Sequence, residues 1–210
     1  MKRRPLYILF LLAVSALFWQ ACSNDDNPSV PFTTSGFFTA RTNANAHIFR
    51  LTDDMGKVYN VREDSKLLTP DTTIRVVASI QAQGADTVIY SKTFPISETP
   101  VRDQLIPNGK KVQDPVILKS IYIGGGHLNI HLGIKVKNET TNHDILYSRI
   151  SDTKKLRLQL YHDAHNDDPI YTQNLYLSIP LSSYHLHKND TVYFSYKSFE
   201  GDCVRKIVYK

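Results

Sequence analysis

The reactive side chain with the clearest setting is a thiol. Cys22 ends the stretch Trp19-Gln20-Ala21-Cys22. It follows a basic segment (Lys2, Arg3, Arg4) and an apolar run from Leu6 to Trp19 that only Ser15 interrupts. A basic start, an apolar run and a small residue before the cut are the marks of an export signal. The run is shorter than the ~20 residues a membrane span needs. A cysteine just after the cut is where an acyl anchor is attached. Residues 1–21 are therefore expected to be a lipoprotein signal peptide, with Cys22 lipidated. The usual aliphatic and small residues three and two places before the cysteine are here Trp19 and Gln20. A plain secretory signal cleaved near Ala21 and an uncleaved anchor are the competing readings. Several acyl chains on Cys22 would anchor the protein stably, where a single chain binds only marginally.

Histidines and carboxylates supply the remaining candidates. His127, Asn129 and His131 alternate, so on a strand they share one face. His127 and His131 then stand about 13 Å apart, too far to share a zinc ion with bonds of about 2 Å. A solvated sheet face is the simpler expectation, with Asn129 bridging backbone groups beside the preceding glycines. The densest polar run is His162-Asp163-Ala164-His165-Asn166-Asp167-Asp168. Calcium is one use for such carboxylates, but the run lacks the spaced acidic ladder and Glu of an EF-hand loop. A hairpin loop rich in Asp and Asn is the simpler account, because these residues tolerate turn backbone angles. His185-Leu186-His187 is a further pair of metal-ligating type. No metal and no cofactor are assigned.

Catalytic signatures are missing. The sequence contains no Gly-x-Ser-x-Gly elbow, Walker loop or His-Glu-x-x-His. Gly124-Gly125-Gly126 precedes a strand pattern, so it lacks the helix N-terminus that cradles phosphate and fits a hairpin or bulge. No carboxylate pair stands out for glycoside hydrolysis. A non-enzymatic chain with no catalytic residue is expected. Tyr161, Tyr171, Tyr176, Tyr184, Tyr193 and Tyr196 could stack on sugars or a protein, or pack across strands. With Cys22 acylated, Cys203 has no disulfide partner and reads as a half-buried strand residue.

The formal charge is +5. Losing Lys2, Arg3 and Arg4 leaves about +2, so the basic balance is partly a property of the leader. No basic stripe with interleaved aromatics appears, and nucleic acid is not an expected partner. The mature chain, about 185 residues, suits one large β domain or two small ones.

Short strands and turns must position these residues. Residues 22–35 are polar at their start and read as a flexible tether. Residues 36–108 hold about five strand patterns, the clearest with Ile74, Val76, Ala78 and Ile80 on one face and Arg75, Val77 and Ser79 on the other. A five-stranded barrel of the OB type fits them. A proline-rich break sets the boundary near Asn108. In residues 109–210 the alternation is stronger: Leu128, Ile130, Leu132, Ile134 and Val136, then Leu156, Leu158 and Leu160, then Leu175, Leu177 and Ile179. Seven strands there suggest a β-sandwich.

This order carries a resemblance. A leader ending in cysteine, a small barrel, and a sandwich with Gly126-His127-Leu128-Asn129 and Leu156-Arg157-Leu158-Gln159-Leu160-Tyr161-His162-Asp163-Ala164 are similar to the NigD-like lipoprotein family. The resemblance implies an all-β fold, an OB-like barrel followed by an immunoglobulin-like sandwich. It brings no catalytic residue and no defined ligand. The leader also resembles those of surface lipoproteins of gram-negative gut commensals. In that group acidic residues just after the cysteine, here Asp25 and Asp26, favour export to the outer face. Asp71-Thr72-Thr73, Asp86-Thr87-Val88 and Asp190-Thr191-Val192 are similar to the O-glycosylation sequon of the same group, which makes Thr72, Thr87 and Thr191 candidate sites. The expected protein is an outer-membrane, lipid-anchored surface interaction or structural module. Its partners would be the membrane, through its anchor, and an envelope protein or glycan. A glycan-binding accessory lipoprotein of an uptake system and a fimbria-related subunit are the alternatives.

Overall fold

Five strands form the first unit: β1 (Phe32–Thr42), β2 (Ile48–Asp53), β3 (Val58–Glu63), β4 (Thr73–Gln83) and β5 (Thr87–Pro95). They close into a barrel in the order β1-β2-β3-β5-β4. This is the expected small barrel. The computed structural model describes residues 32–63, 69–83, 87–95, 112–137, 143–150 and 155–210. The leader, Cys22, Asp25, Asp26 and the expected boundary near Asn108 lie outside the described residues.

The barrel's interior follows from the period-2 pattern. Val76, Ala78 and Ile80 of β4 join Phe38, Ala40, Ile48, Leu51 and Tyr59 in one core. β1 begins at Phe32 and so includes Phe32–Ser35, part of the expected tether. Pairing runs without interruption from Phe32 opposite Ala82 to Arg41 opposite Thr73. That ladder engages Phe32–Ser35 along the β4 side, which the polar composition of the segment does not announce. Between β2 and β3, Asp53 Oδ1 accepts from the amides of Met55 and Lys57 at 2.9 and 2.8 Å. This Asx turn leaves Asp54 projecting from the barrel.

The second unit holds β6 (Ile117–Gly124), β7 (His127–Val136), β8 (Asp144–Ile150), β9 (Leu156–Asp163), β10 (Tyr171–Pro180), β11 (Thr191–Ser198) and β12 (Gly201–Val208). They form two sheets, β10-β7-β6 and β12-β11-β9-β8. The alternating leucines and isoleucines of β7, β9 and β10 meet Val192, Phe194 and Tyr196 of β11 in a single core. Pairing is antiparallel except between β9 and β11, which run parallel. β9 also extends through His162 and Asp163, so the polar turn expected from His162 begins later. His162 is buried at 3% exposure.

Gly125 and Gly126 turn β6 into β7 with φ of +58° and +77°. Two successive residues in the left-handed region make the tight hairpin that the glycine run suggested. Gly124 and Gly125 also lie against Asp54. A Cβ at either would come within 2.7 Å of that side chain. The hairpin of one unit thus receives the turn of the other.

Candidate functional site

The polar centre of the molecule lies where barrel and sandwich meet. Arg75 on β4 belongs to the barrel's outer face, yet it is only 2% exposed. Its guanidinium forms an ion pair with Asp54. It also donates to Thr39 Oγ1 at 3.2 Å, to Ser178 Oγ at 3.2 Å and to Asn129 Oδ1 at 3.0 Å. Asn129 Nδ2 donates to Asp54 Oδ2 at 2.9 Å and to the Gly124 carbonyl at 3.2 Å. Ser178 donates to Asn129 Oδ1 at 2.7 Å, and Tyr122 to Asp54 Oδ2 at 2.8 Å. Phe37 packs edge-on against Tyr122 and Tyr176, with Arg75 5.9 Å from its ring centre. Every polar atom at the centre finds a partner, as a buried charge requires. Burial first, and then the bond to Asp54, holds the Tyr122 phenol well above its usual range.

This junction corrects one expectation. The His127–Asn129–His131 face is not simply solvated: Asn129 is fully buried beneath the barrel. Its predicted bond to the glycine turn is present, but Asn129 also binds the opposing unit. His131 instead stacks on Tyr176 at 4.4 Å. Arg75 and Asp54 were not legible as partners. Arg75 sits at an outward position of its strand, and nothing local says that this stretch is covered.

A second cluster ties together β7, β8, β9 and the segment before β6. His162 Nδ1 lies 3.2 Å from the Asp114 carbonyl, which can only accept, so Nδ1 is the donor. His162 Nε2 is then an acceptor and takes the proton of His143 Nδ1 at 2.8 Å. His143 Nε2 lies 3.2 Å from Asp167 Oδ2. Asp167 receives the Lys137 amide at 2.9 Å as well. Burial is the chief reason that the His162 pKa is lowered, which agrees with a neutral ring. Both of its nitrogens are engaged, so the chain of bonds acts as a clamp.

The other candidates are dispersed. Asp163 caps the His165 amide at 2.8 Å and Asp168 pairs with Lys137 at 3.0 Å, so the acidic loop turns its carboxylates to its neighbours. Among the described residues no group of three or more His, Cys, Asp or Glu converges as a metal site. Tyr161 and Tyr196 are buried, Tyr171 and Tyr184 pack on the sandwich core, and Tyr193 lies near Lys155, Arg157 and Lys206. Thr72 precedes β4 and its amide donates to Thr42 Oγ1 at 3.0 Å. Thr87 opens β5 and Thr191 opens β11. Cys203 is a half-buried free thiol on β12, 3.5 Å from Ser198 Oγ.

β6 and β12 are edge strands of the two sheets and flank one groove of about 530 Å³. Ile121, Ile123 and Ile207 line it with Arg205, Lys206 and Lys210. No single sequence motif marks this groove.

A closed five-stranded barrel pinned to a seven-stranded sandwich by a buried arginine defines a two-unit, all-β class of protein. The family of NigD-like C-terminal beta sandwich domains matches residues 99–209, and the chain belongs to the NigD-like family. The crystal structure of a NigD-like immunity protein from Bacteroides caccae is similar, with a TM-score of 0.65 and 25% identity, over 85% of this chain and 92% of that one. A protein from Parabacteroides distasonis, provisionally described as toxin-related, gives a TM-score of 0.65 at 19% identity, over 85% and 94% of the two chains. A protein from Bacteroides fragilis, provisionally described as a lipoprotein, gives 0.58 at 14% identity, over 86% and 99%. No curated protein matches the chain.

Proposed function

We propose that this is a lipid-anchored cell-envelope protein, held at the outer membrane through Cys22 and facing the exterior, that works by binding and not by catalysis. The groove between β6 and β12 carries this reading. An edge strand has a row of backbone N–H and C=O groups that its own sheet does not use. An extended peptide can add to such a row, with its side chains read by neighbouring pockets. The groove's apolar isoleucines and its basic Arg205, Lys206 and Lys210 suit a strand that alternates apolar and acidic residues. The lipoprotein name of the Bacteroides fragilis relative agrees with an anchor at Cys22.

The test is capture of the native protein from membranes in mild detergent, with mass spectrometry of what comes with it. A Cys22→Ala variant removes the anchor. An Arg205→Glu, Val208→Asp variant reverses the charge and polarity of exposed groove positions. A stoichiometric protein partner that is lost with the groove variant supports the reading. No partner, or a partner indifferent to the groove, overturns it.

A further inference from the structure

The barrel's outer face carries an arrangement that the fold itself does not require. Ile48 and Leu51 both face the barrel core, at 2% and 0% exposure. Strict alternation cannot place residues three apart on the same face. The register explains it: Arg41 pairs with Arg50 and Thr42 with Ile48, so Phe49 is the extra residue of a β-bulge. Bulges of this kind re-aim a side chain. Here Phe49 and Arg50 both emerge on the outer face beside Arg41. The Phe49 ring is 39% exposed. The Arg41 and Arg50 guanidinium carbons lie 6.0 and 5.8 Å from its centre.

Two arginines directly opposite on antiparallel strands repel each other. Among the described residues neither is bonded to a carboxylate, and Arg50 Nε is shielded from water with no acceptor. The contrast with Arg75 is plain. Where the architecture buries a guanidinium, it supplies Asp54, Thr39, Ser178 and Asn129. Among the described residues Arg41 and Arg50 receive only an aromatic ring between them.

We infer that Arg41, Phe49 and Arg50 form a binding site for a tetrahedral oxyanion, a sulfate or phosphate ester carried on a sugar. Guanidinium forks bind such groups bidentately, and three terminal oxygens can accept from two forks at once. The exposed Phe49 ring offers an apolar surface for the sugar's C–H face. A neutral glycan would leave both charges uncompensated. This site is independent of the β6–β12 groove and stands or falls separately from it.

Calorimetry on the full chain in a nonionic detergent tests the assignment, with glucose 6-sulfate and glucose 6-phosphate as probes and glucose as the uncharged control. Either ester is expected to bind while glucose does not. Arg41→Ala and Arg50→Ala should each weaken binding by about tenfold or more, the loss of one charge-assisted contact. All three side chains lie on the outer face of the barrel, and circular dichroism verifies that the variants fold. Tyr193, near Lys155, Arg157 and Lys206 on the sandwich, supplies a second basic cluster as a control. A Lys155→Ala, Arg157→Ala variant should bind the esters unchanged. Equal losses at both clusters would mean diffuse charge attraction and overturn the site. So would failure of both esters to bind, or binding seen only with phosphatidylglycerol vesicles.

Discussion

Removing the Asp54 carboxylate should unfasten the barrel from the sandwich. In Asp54→Ala the Arg75 guanidinium, whose side chain is 1% exposed, keeps Thr39, Asn129 and Ser178 but loses its only counter-charge among the described residues. Asn129 Nδ2 and Tyr122 lose acceptors at 2.9 and 2.8 Å. Tyr122 is partly exposed and can turn to water, so its loss weighs little. The stranded buried charge dominates, and breaking such a pair costs about 3–5 kcal/mol. For a chain of this size each kcal/mol moves Tm by about 2–4 °C, so a fall of roughly 10 °C is expected. Urea unfolding followed by circular dichroism gives the free energy directly, and the Tyr122 phenol should titrate at lower pH in the variant. The double variant Asp54→Leu, Arg75→Met removes both charges and should be more stable than Asp54→Ala, because no uncompensated ion remains. Asn129→Ala combined with Asp54→Ala should be non-additive by about 0.5–3 kcal/mol. A loss below about 1 kcal/mol in Asp54→Ala, or a double variant worse than the single one, would refute the view that a buried charge pair fastens the two units.

The hairpin glycines should separate by mechanism. Gly126→Ala should cost about 1–2 kcal/mol for its left-handed backbone, whereas Gly125→Ala should cost more, because its Cβ would also meet Asp54 Oδ1 at 2.7 Å; urea midpoints rank them. His162 gives a pH dependence. Its folded pKa lies below the unfolded value of about 6.5, so its contribution is present above that pH and is lost as pH falls toward and through the folded pKa. The wild type should therefore lose up to about 1.4 kcal/mol per pH unit from this group below about pH 6.5. His162→Gln should flatten that part of a Tm-versus-pH curve. Glycosylation at Thr72, Thr87 and Thr191 would appear as hexose-sized increments in the intact mass of the native protein, removed one by one by Thr→Ala substitutions; an unmodified mass sinks that assignment. Deleting methylenes from the sandwich core, as in Leu132→Ala at 0% exposure, should cost about 2–5 kcal/mol by chemical denaturation.

Much of the architecture is written locally. Alternation along Val76–Ile80, Leu128–Val136 and Leu156–Leu160 is a period-2 signal that says which side chains enter a core, whatever that core contacts. The glycines at 125 and 126 state a tight hairpin because only they accept two left-handed residues cheaply. The short motif around Asn129 and the Leu156–Ala164 run were enough to suggest the family. The proposed export signal ending at Cys22 is likewise a reading of linear sequence, since an export machinery reads a chain before it folds.

What lay beyond the sequence depends on contacts between residues far apart in the chain. Phe32–Ser35 looked like tether because their strand partners lie nearly 50 residues on, at Ser79–Ala82. Arg75 looked like an ordinary outward arginine. Only the docking of β7 and β10 on that face makes it a buried ion, and only Asp54, from another turn, makes that burial tolerable. Strict alternation would set Phe49 and Arg50 on opposite faces, and the bulge in the register with β1 brings both to the outer face. Sequence by itself determined the strands and the turns, because propensity and periodicity act over a few residues. Tertiary structure decided which polar groups are sealed inside, which arginines remain unpaired and which sheet edges stay open, because these depend on surfaces that meet only after the chain has folded.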